Sequence, residues 1–214
     1  MIINQIVRLV SGWYGQFVTH QIWWALHKRM FSYYLNQPYS FHVQNSSSDL
    51  LEQKFYDLTE KIGDFLGQNQ INIIYGGGNI GLMGKLSNAA LKKGANVLGV
   101  IPEFLKKGEN LNLNISQTII VKTMAQRKKI LFEKGDAFLI LPGGSGTIEE
   151  ATEVISWKIL GVHKKPIIIF NFENYWNSMI EMYNNAKKSK FGDKNLQSVC
   201  KIVKTFEEFS LLFK

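Results

Sequence analysis

Several large protein classes are excluded by what the chain lacks. It carries a single cysteine, Cys200, so neither an internal disulfide nor a cysteine-rich zinc site can form. Cys200 reads instead as a small buried hydrophobe of a protein kept in a reducing compartment. The four histidines, His20, His27, His42 and His163, are scattered with no metal-ligand spacing and no triad, so no metal is expected. No apolar run is long enough to span a bilayer, and no basic head, apolar core and small-residue cleavage site marks a secretory signal. Together these predict a cytoplasmic protein. Acidic residues are also missing from the whole first part of the chain, Asp49 being the first.

What is present is ordinary for a folded chain of 214 residues: 45% hydrophobic and 20% charged, with a formal net charge of +8. That length supports one sizeable core. The positive balance favours anionic partners without naming them. The lysines at 187, 188, 190 and 194 have no interleaved aromatics and read as a solvated basic surface, so no nucleic acid is expected as a partner.

Residues 1–37 differ from the rest. They hold Trp13, Trp23 and Trp24, and only Arg8, Lys28 and Arg29 as charges. Ile3, Ile6, Val7, Val10, Tyr14, Phe17 and Val18 fit one helical face, broken near Ser11-Gly12. This segment is expected to be an aromatic-rich helical extension packed on the body or on a second subunit. A membrane-surface helix and a targeting segment are the alternatives.

From residue 38 to 214 the pattern is regular and predicts one domain. Short apolar strands are expected over 39–44, 71–75, 96–101, 119–121, 137–141, 166–170 and 199–203. Helices are expected over 51–69, 82–93, 125–134, 147–160, 175–188 and 205–213, with Asn45 to Asp49 as a capping turn. Such alternation specifies parallel strands joined by crossover helices. Strands apolar throughout are covered on both faces. The fold class is therefore α/β, a doubly wound, Rossmann-like parallel sheet with helices on both faces, and ligands are expected beyond the carboxyl ends of its strands.

Two glycine-rich turns lie at such ends. Ile73-Ile74-Tyr75 runs into Gly76-Gly77-Gly78-Asn79-Ile80-Gly81, and Leu139-Ile140-Leu141 runs into Pro142-Gly143-Gly144-Ser145-Gly146-Thr147. Glycine leaves room for a ligand at the backbone, and each following helix aims free amides at the same space, which suits phosphate. Neither turn ends in Gly-Lys-Ser or Gly-Lys-Thr, so neither is a P-loop. The Gly-x-Gly-x-x-Gly string at Gly76–Gly81, with Glu103 after the next strand, leaves a dinucleotide site as an alternative.

Glu149 and Glu150 are expected in the first turn of the helix after the second cluster, where the helix dipole alone would favour acid. Stabilisation of the helix does not explain acid beside a phosphate cradle, where it repels the ligand. A carboxylate there suits chemistry on the adjoining sugar. It can stabilise an electron-poor anomeric carbon and activate water as a base departs. Arg127 and Lys128, near the start of the preceding helix, read either as a solvated charged face with Lys129 or as contacts to phosphate.

Tyr75-Gly76-Gly77-Gly78, Gly81-Leu82-Met83-Gly84, Gly99-Val100-Ile101-Pro102, Met124-Ala125-Gln126-Arg127-Lys128 and Pro142 through Glu150 resemble, in order and spacing, the LOG ("lonely guy") family of cytokinin riboside 5′-monophosphate phosphoribohydrolases. Many of its members carry a lysine decarboxylase label. The resemblance covers roughly residues 39–190. It implies hydrolysis of the N-glycosidic bond of a nucleoside 5′-monophosphate, cytokinin-type or AMP-like, to free base and ribose 5-phosphate. It implies Arg127 and Glu150 as catalytic residues. Gly77, Gly78, Gly143, Gly144, Ser145, Gly146, Thr147 and Glu149 would contact phosphate and ribose, with Glu109, Lys128 and Ser156 as further substrate contacts. Met124, Ser47 and Ser48 fall on the family's motifs as well. No cofactor is implied, and a homodimer or higher homo-oligomer completes the site near the subunit interface. Where the family has Phe-Cys-Gly-Ser-Ser, this chain has Gln44-Asn45-Ser46-Ser47-Ser48, which bears on the choice of base. A non-catalytic nucleotide sensor or carrier on the same fold is the alternative to an enzyme, and a dinucleotide-dependent oxidoreductase a third reading.

Overall fold

The computed structural model describes residues 46–106, 110–192 and 194–213. The expected aromatic helix of residues 1–37 and the strand over 39–44 lie outside the described residues. Within them the chain runs α1 (Ser46–Gln68), β1 (Ile73–Tyr75), α2 (Gly81–Lys92), β2 (Val97–Pro102), β3 (Gln117–Val121), α3 (Met124–Lys134), β4 (Phe138–Ile140), α4 (Ser145–Ile159), β5 (Ile167–Phe170), α5 (Asn177–Lys188), β6 (Lys201–Val203) and α6 (Phe206–Ser210). All strand pairings are parallel, in two ladders ordered β1-β2-β3 and β4-β5-β6.

The apolar strand β5 behaves as a strand buried on both faces must. Side chains alternate along β5. Ile167 and Ile169 enter a cluster with Ile155 of α4 and Met179 of α5. Ile168 and Phe170 enter a second cluster with Ile62 and Leu66 of α1 and Phe209 of α6. Each side chain of that size buried contributes about 1.5–3 kcal/mol relative to exposure, so β5 anchors both layers. Ile73 of β1 and Leu139 of β4 pack on the second cluster too, which brings the inner strands of the two ladders to one place. The chain winds away from that place in both directions, making the fold doubly wound and Rossmann-like, and both glycine turns leave from it.

Four local expectations need correction. Ser46 to Asp49 are the first residues of α1 and not a turn, because the serines precede a long amphipathic run that extends the helix over them. The helix α4 begins at Ser145, two residues before the expected start. Tyr175 lies outside α5, in a turn that follows a short 3-10 segment. Val199 and Cys200 precede the last strand, which starts at Lys201. Cys200 is buried, and that burial pushes its thiol up to about 12. Among the described residues no helix is long and apolar enough to cross a membrane.

Candidate functional site

The helix α3 starts with reciprocal capping. Thr123 accepts from the Gln126 N–H at 3.2 Å, and the Gln126 side chain accepts from the Lys122 N–H at 2.9 Å, the Thr-x-x-Gln pattern of a helix start. This fixes the first turn, which carries half-buried Met124 and then Arg127. Arg127 is buried at 6% exposure, so it is no solvated charge, whereas Lys129 beside it is exposed.

The guanidinium of Arg127 lies against the turn after β1, Nη2 nearest to Gly76. A Cβ at Gly76 would fall directly on it. The space left by the first glycine is therefore filled by an arginine of the same chain. Gly77 follows with a φ of 82°, a left-handed conformation that glycine adopts without steric cost. Its carbonyl accepts from the Asn112 N–H at 3.0 Å. Gly78 bridges Leu111, and all three glycines of this turn are buried. Asn112, wholly buried, donates onward to Asn88 at 3.0 Å and Ser87 at 3.3 Å. The Tyr75 hydroxyl lies beside Ser87 and Asn112, and burial raises its pKa. Glu103, the acidic residue of the dinucleotide reading, is exposed and pairs with Lys106 at 3.1 Å.

The second turn has opposite surroundings. Gly144 is the N-cap of α4 and offers no side chain to its free amides. The first i→i−4 bond of α4 runs from Ile148 N–H to Gly144 at 3.0 Å, so the N–H groups of Ser145, Gly146 and Thr147 precede the helical ladder. Among the described residues, a Cβ at Gly144 or Gly146 would meet nothing within 4 Å beyond its chain neighbours. Gly143 packs on the Thr147 side chain, and its carbonyl accepts from the Tyr175 hydroxyl at 2.8 Å.

Because α4 begins at Ser145, Glu149 and Glu150 stand in its second turn, and its first turn holds no acidic residue. Placement by the helix dipole, which acts over the first turn, therefore does not account for them. Glu150 faces Arg127, with Oε1 3.6 Å from Nη2. Lys128 pairs with Glu149 and, at 3.2 Å, with Glu153. The hydrogen bond that Lys128 donates to Glu149, with Glu153 adding to it, raises the Lys128 pKa. Two helices thus meet through three cation–carboxylate contacts beside the open N-terminus of α4.

The expected residues separate accordingly. Arg127, Lys128, Glu149 and Glu150 converge with the Gly143–Thr147 turn. Gly77 and Gly78 are buried beneath the loop that carries Asn112. Ser156, exposed, stands three turns along α4, about 16 Å from Ser145 by helical rise. Glu109 lies outside the described residues, and Ser47 and Ser48 belong to the first turn of α1. Sequence reasoning missed Glu153, whose i+4 spacing from Glu149 was the available signal. It also missed Asn112 and Tyr175, which no local pattern marks. Among the described residues no group of three or more His, Cys, Asp or Glu side chains is placed to hold a metal.

Comparison with known proteins places this arrangement. The family described as "Possible lysine decarboxylase" matches residues 83–211. The chain is 36% identical over 171 residues to the cytokinin riboside 5′-monophosphate phosphoribohydrolase LOG4 of Arabidopsis thaliana, covering 77% of this chain and 80% of that one. It is 40% identical over 139 residues to the cytokinin riboside 5′-monophosphate phosphoribohydrolase of Rhodococcoides fascians, covering 64% and 70%. Among solved structures, the molybdenum cofactor carrier protein of Chlamydomonas reinhardtii superposes with a TM-score of 0.57 over 75% of this chain and 86% of its own, at 12% identity, a likeness of fold alone. With its motifs, its fold and these relatives in agreement, the chain belongs to the LOG family.

Proposed function

We propose that the protein hydrolyses the N-glycosidic bond of a nucleoside 5′-monophosphate, releasing a free base and ribose 5-phosphate. The observation that carries this reading is the Arg127–Glu150 contact, 3.6 Å across α3 and α4, set beside an uncapped helix N-terminus with open space at Gly144 and Gly146. The relatives named above are phosphoribohydrolases.

In this reading the 5′-phosphate sits on the Gly143–Thr147 turn, where amide donors and the helix dipole favour an anion. Lys128 offsets the charge of Glu149 and Glu153, so that the acid beside the cradle does not repel the phosphate. The ribose then lies toward Glu150. As the bond from C1′ to the base nitrogen breaks, its electrons leave with the base and positive charge grows on the sugar. The Glu150 carboxylate stabilises that charge and takes a proton from the attacking water. The water oxygen bonds to C1′, and the proton that Glu150 takes up passes through solvent to the nitrogen of the departing base, which leaves the carboxylate as it began. Arg127, a planar donor, orients Glu150 and the reacting nucleotide. The substrate is AMP or a cytokinin-type monophosphate, and the protein works in the cytoplasm as a homodimer or larger homo-oligomer.

Incubation with AMP and isopentenyladenosine monophosphate, with free base measured, tests the activity. No release from any purine or pyrimidine monophosphate would sink it. Glu150→Gln keeps the shape and removes the charge. It should lower kcat at least about 100-fold while leaving the Kd for nucleotide nearly unchanged. A carrier on the same fold would bind nucleotide and release no base.

A further inference from the structure

Tyr175 lies outside every motif of the chain, 32 residues from Gly143, yet its hydroxyl donates to the Gly143 carbonyl at 2.8 Å. A peptide unit is planar, so its carbonyl and the following N–H move together. Holding the Gly143 carbonyl therefore also holds the N–H of Gly144, the N-cap of α4. Gly143 and Gly144 carry no side chain of their own to do this.

The segment that delivers Tyr175 is built for the purpose. Glu173 and Asn174, two consecutive non-glycine residues, take left-handed conformations with φ of 49° and 60°. Such conformations persist only where the surroundings over-determine them, and they cluster at functional sites. Here the surroundings are specific. Asn171, buried at 1% exposure, accepts from the Trp176 N–H at 2.7 Å and donates to the Asn177 side chain at 2.9 Å, and its own N–H reaches Val203 at 2.7 Å. Lys204 donates to the Asn174 side chain at 3.1 Å. The Tyr175 ring meets Phe55 and Trp176 edge-on, at centroid distances of 6.0 and 5.0 Å. Ring and backbone are thus fixed independently of the hydroxyl.

We infer that Tyr175 is a positioning residue for the phosphate cradle: its hydroxyl sets the Gly143–Gly144 peptide and through it the affinity for the 5′-phosphate. This rests on the phosphate reading of the Gly143–Thr147 turn. Its effect falls on binding and not on the chemical step, since the hydroxyl is engaged with the backbone.

The test is Tyr175→Phe in the full chain, which keeps both ring contacts. Calorimetry with ribose 5-phosphate gives Kd, and AMP turnover gives kcat and KM separately. The Kd for ribose 5-phosphate and the KM for AMP should each rise about fivefold, the worth of one hydrogen bond, with kcat within twofold and an unchanged melting temperature. An unchanged Kd in a parent that binds ribose 5-phosphate overturns this inference and leaves the phosphate reading standing. A fall in kcat and melting temperature with Kd and KM unmoved also overturns it, because that is what a merely structural tyrosine would give. A parent that does not bind ribose 5-phosphate overturns both.

Discussion

The two glycine turns look alike in sequence and differ in what fills them. Gly76, Gly77 and Gly78 are buried, one against the Arg127 guanidinium and the others under the Asn112 loop. Gly144 and Gly146 face open space at the mouth of a helix. In the first turn glycine makes room for the protein's own side chain. In the second it leaves room for something else. A glycine cluster at a strand end is thus one signal with two physical meanings, and only the neighbouring atoms separate them.

Substitution by alanine breaks the comparison most directly. Gly76→Ala puts a methyl group where the Arg127 guanidinium lies. It should cost about 1–3 kcal/mol of stability through overpacking and lower kcat/KM at least about 100-fold through displacement of Arg127. Urea midpoints and AMP turnover measure the two effects. Gly144→Ala should do the reverse. Its backbone is extended, with φ −83° and ψ −158°, and among the described residues the added methyl meets nothing within 4 Å beyond its chain neighbours. Stability should fall by no more than about 1 kcal/mol, the cost of alanine against glycine at an N-cap, while the KM for AMP rises about tenfold. Equal stability losses in the two variants would show that the turns are not different in kind.

Lys128→Gln sharpens the second half of the comparison at smaller cost. It leaves Glu149 and Glu153 without their shared cation beside the open turn, so phosphate affinity should fall about threefold, an effect that weakens with salt. Stability should change by less than about 1 kcal/mol, since these pairs are partly exposed. The sign of the pH dependence is fixed by the raised Lys128 pKa. The pair's contribution is complete below the ordinary lysine range and is lost as pH climbs through the raised value. Parent and variant should therefore differ by a constant amount from pH 6 to 9 and converge only in strong alkali, which urea midpoints against pH would follow.

Much of the fold was legible because strands buried on both faces must be apolar throughout. The runs at Ile73, Val97, Phe138 and Ile167 each became a parallel strand where expected. Helix starts were less legible. Without a side-chain cap at Gly144 or Ile80, nothing local marks where α4 or α2 begins, and the early start of α4 moved Glu149 and Glu150 to its second turn. Arg127 and Glu150 could be singled out from their motifs, but their contact joins two helices with a strand between them, so periodicity carries no trace of it. Tyr175 was illegible for the same reason, its partner being a backbone carbonyl 32 residues away. The separation of the two glycine turns was hidden because it depends on a guanidinium arriving from a third element.

The smallest effect concerns what keeps the open turn in shape at Gly143 and Gly144, which have no side chains. If Tyr175 holds that turn from outside, the strain at Glu173 is what the fold tolerates to place it. A non-glycine residue in the left-handed region costs about 1–2 kcal/mol, and glycine there escapes that cost but adds about 0.5–1 kcal/mol of unfolded-chain entropy. Glu173 also pairs with Lys54 at 3.4 Å, both exposed, which is worth little. Glu173→Gly should therefore stabilise the protein by about 0.5 kcal/mol, read from the urea midpoint. It should also loosen the segment ahead of Tyr175, raising the KM for AMP by no more than about twofold, well below the effect of Tyr175→Phe, because the buried Asn171 contacts remain. A variant destabilised by more than about 1 kcal/mol would mean that Glu173 is held there by favourable contacts and not by force. The turn at Gly143 would then owe its shape to something other than a strained strap.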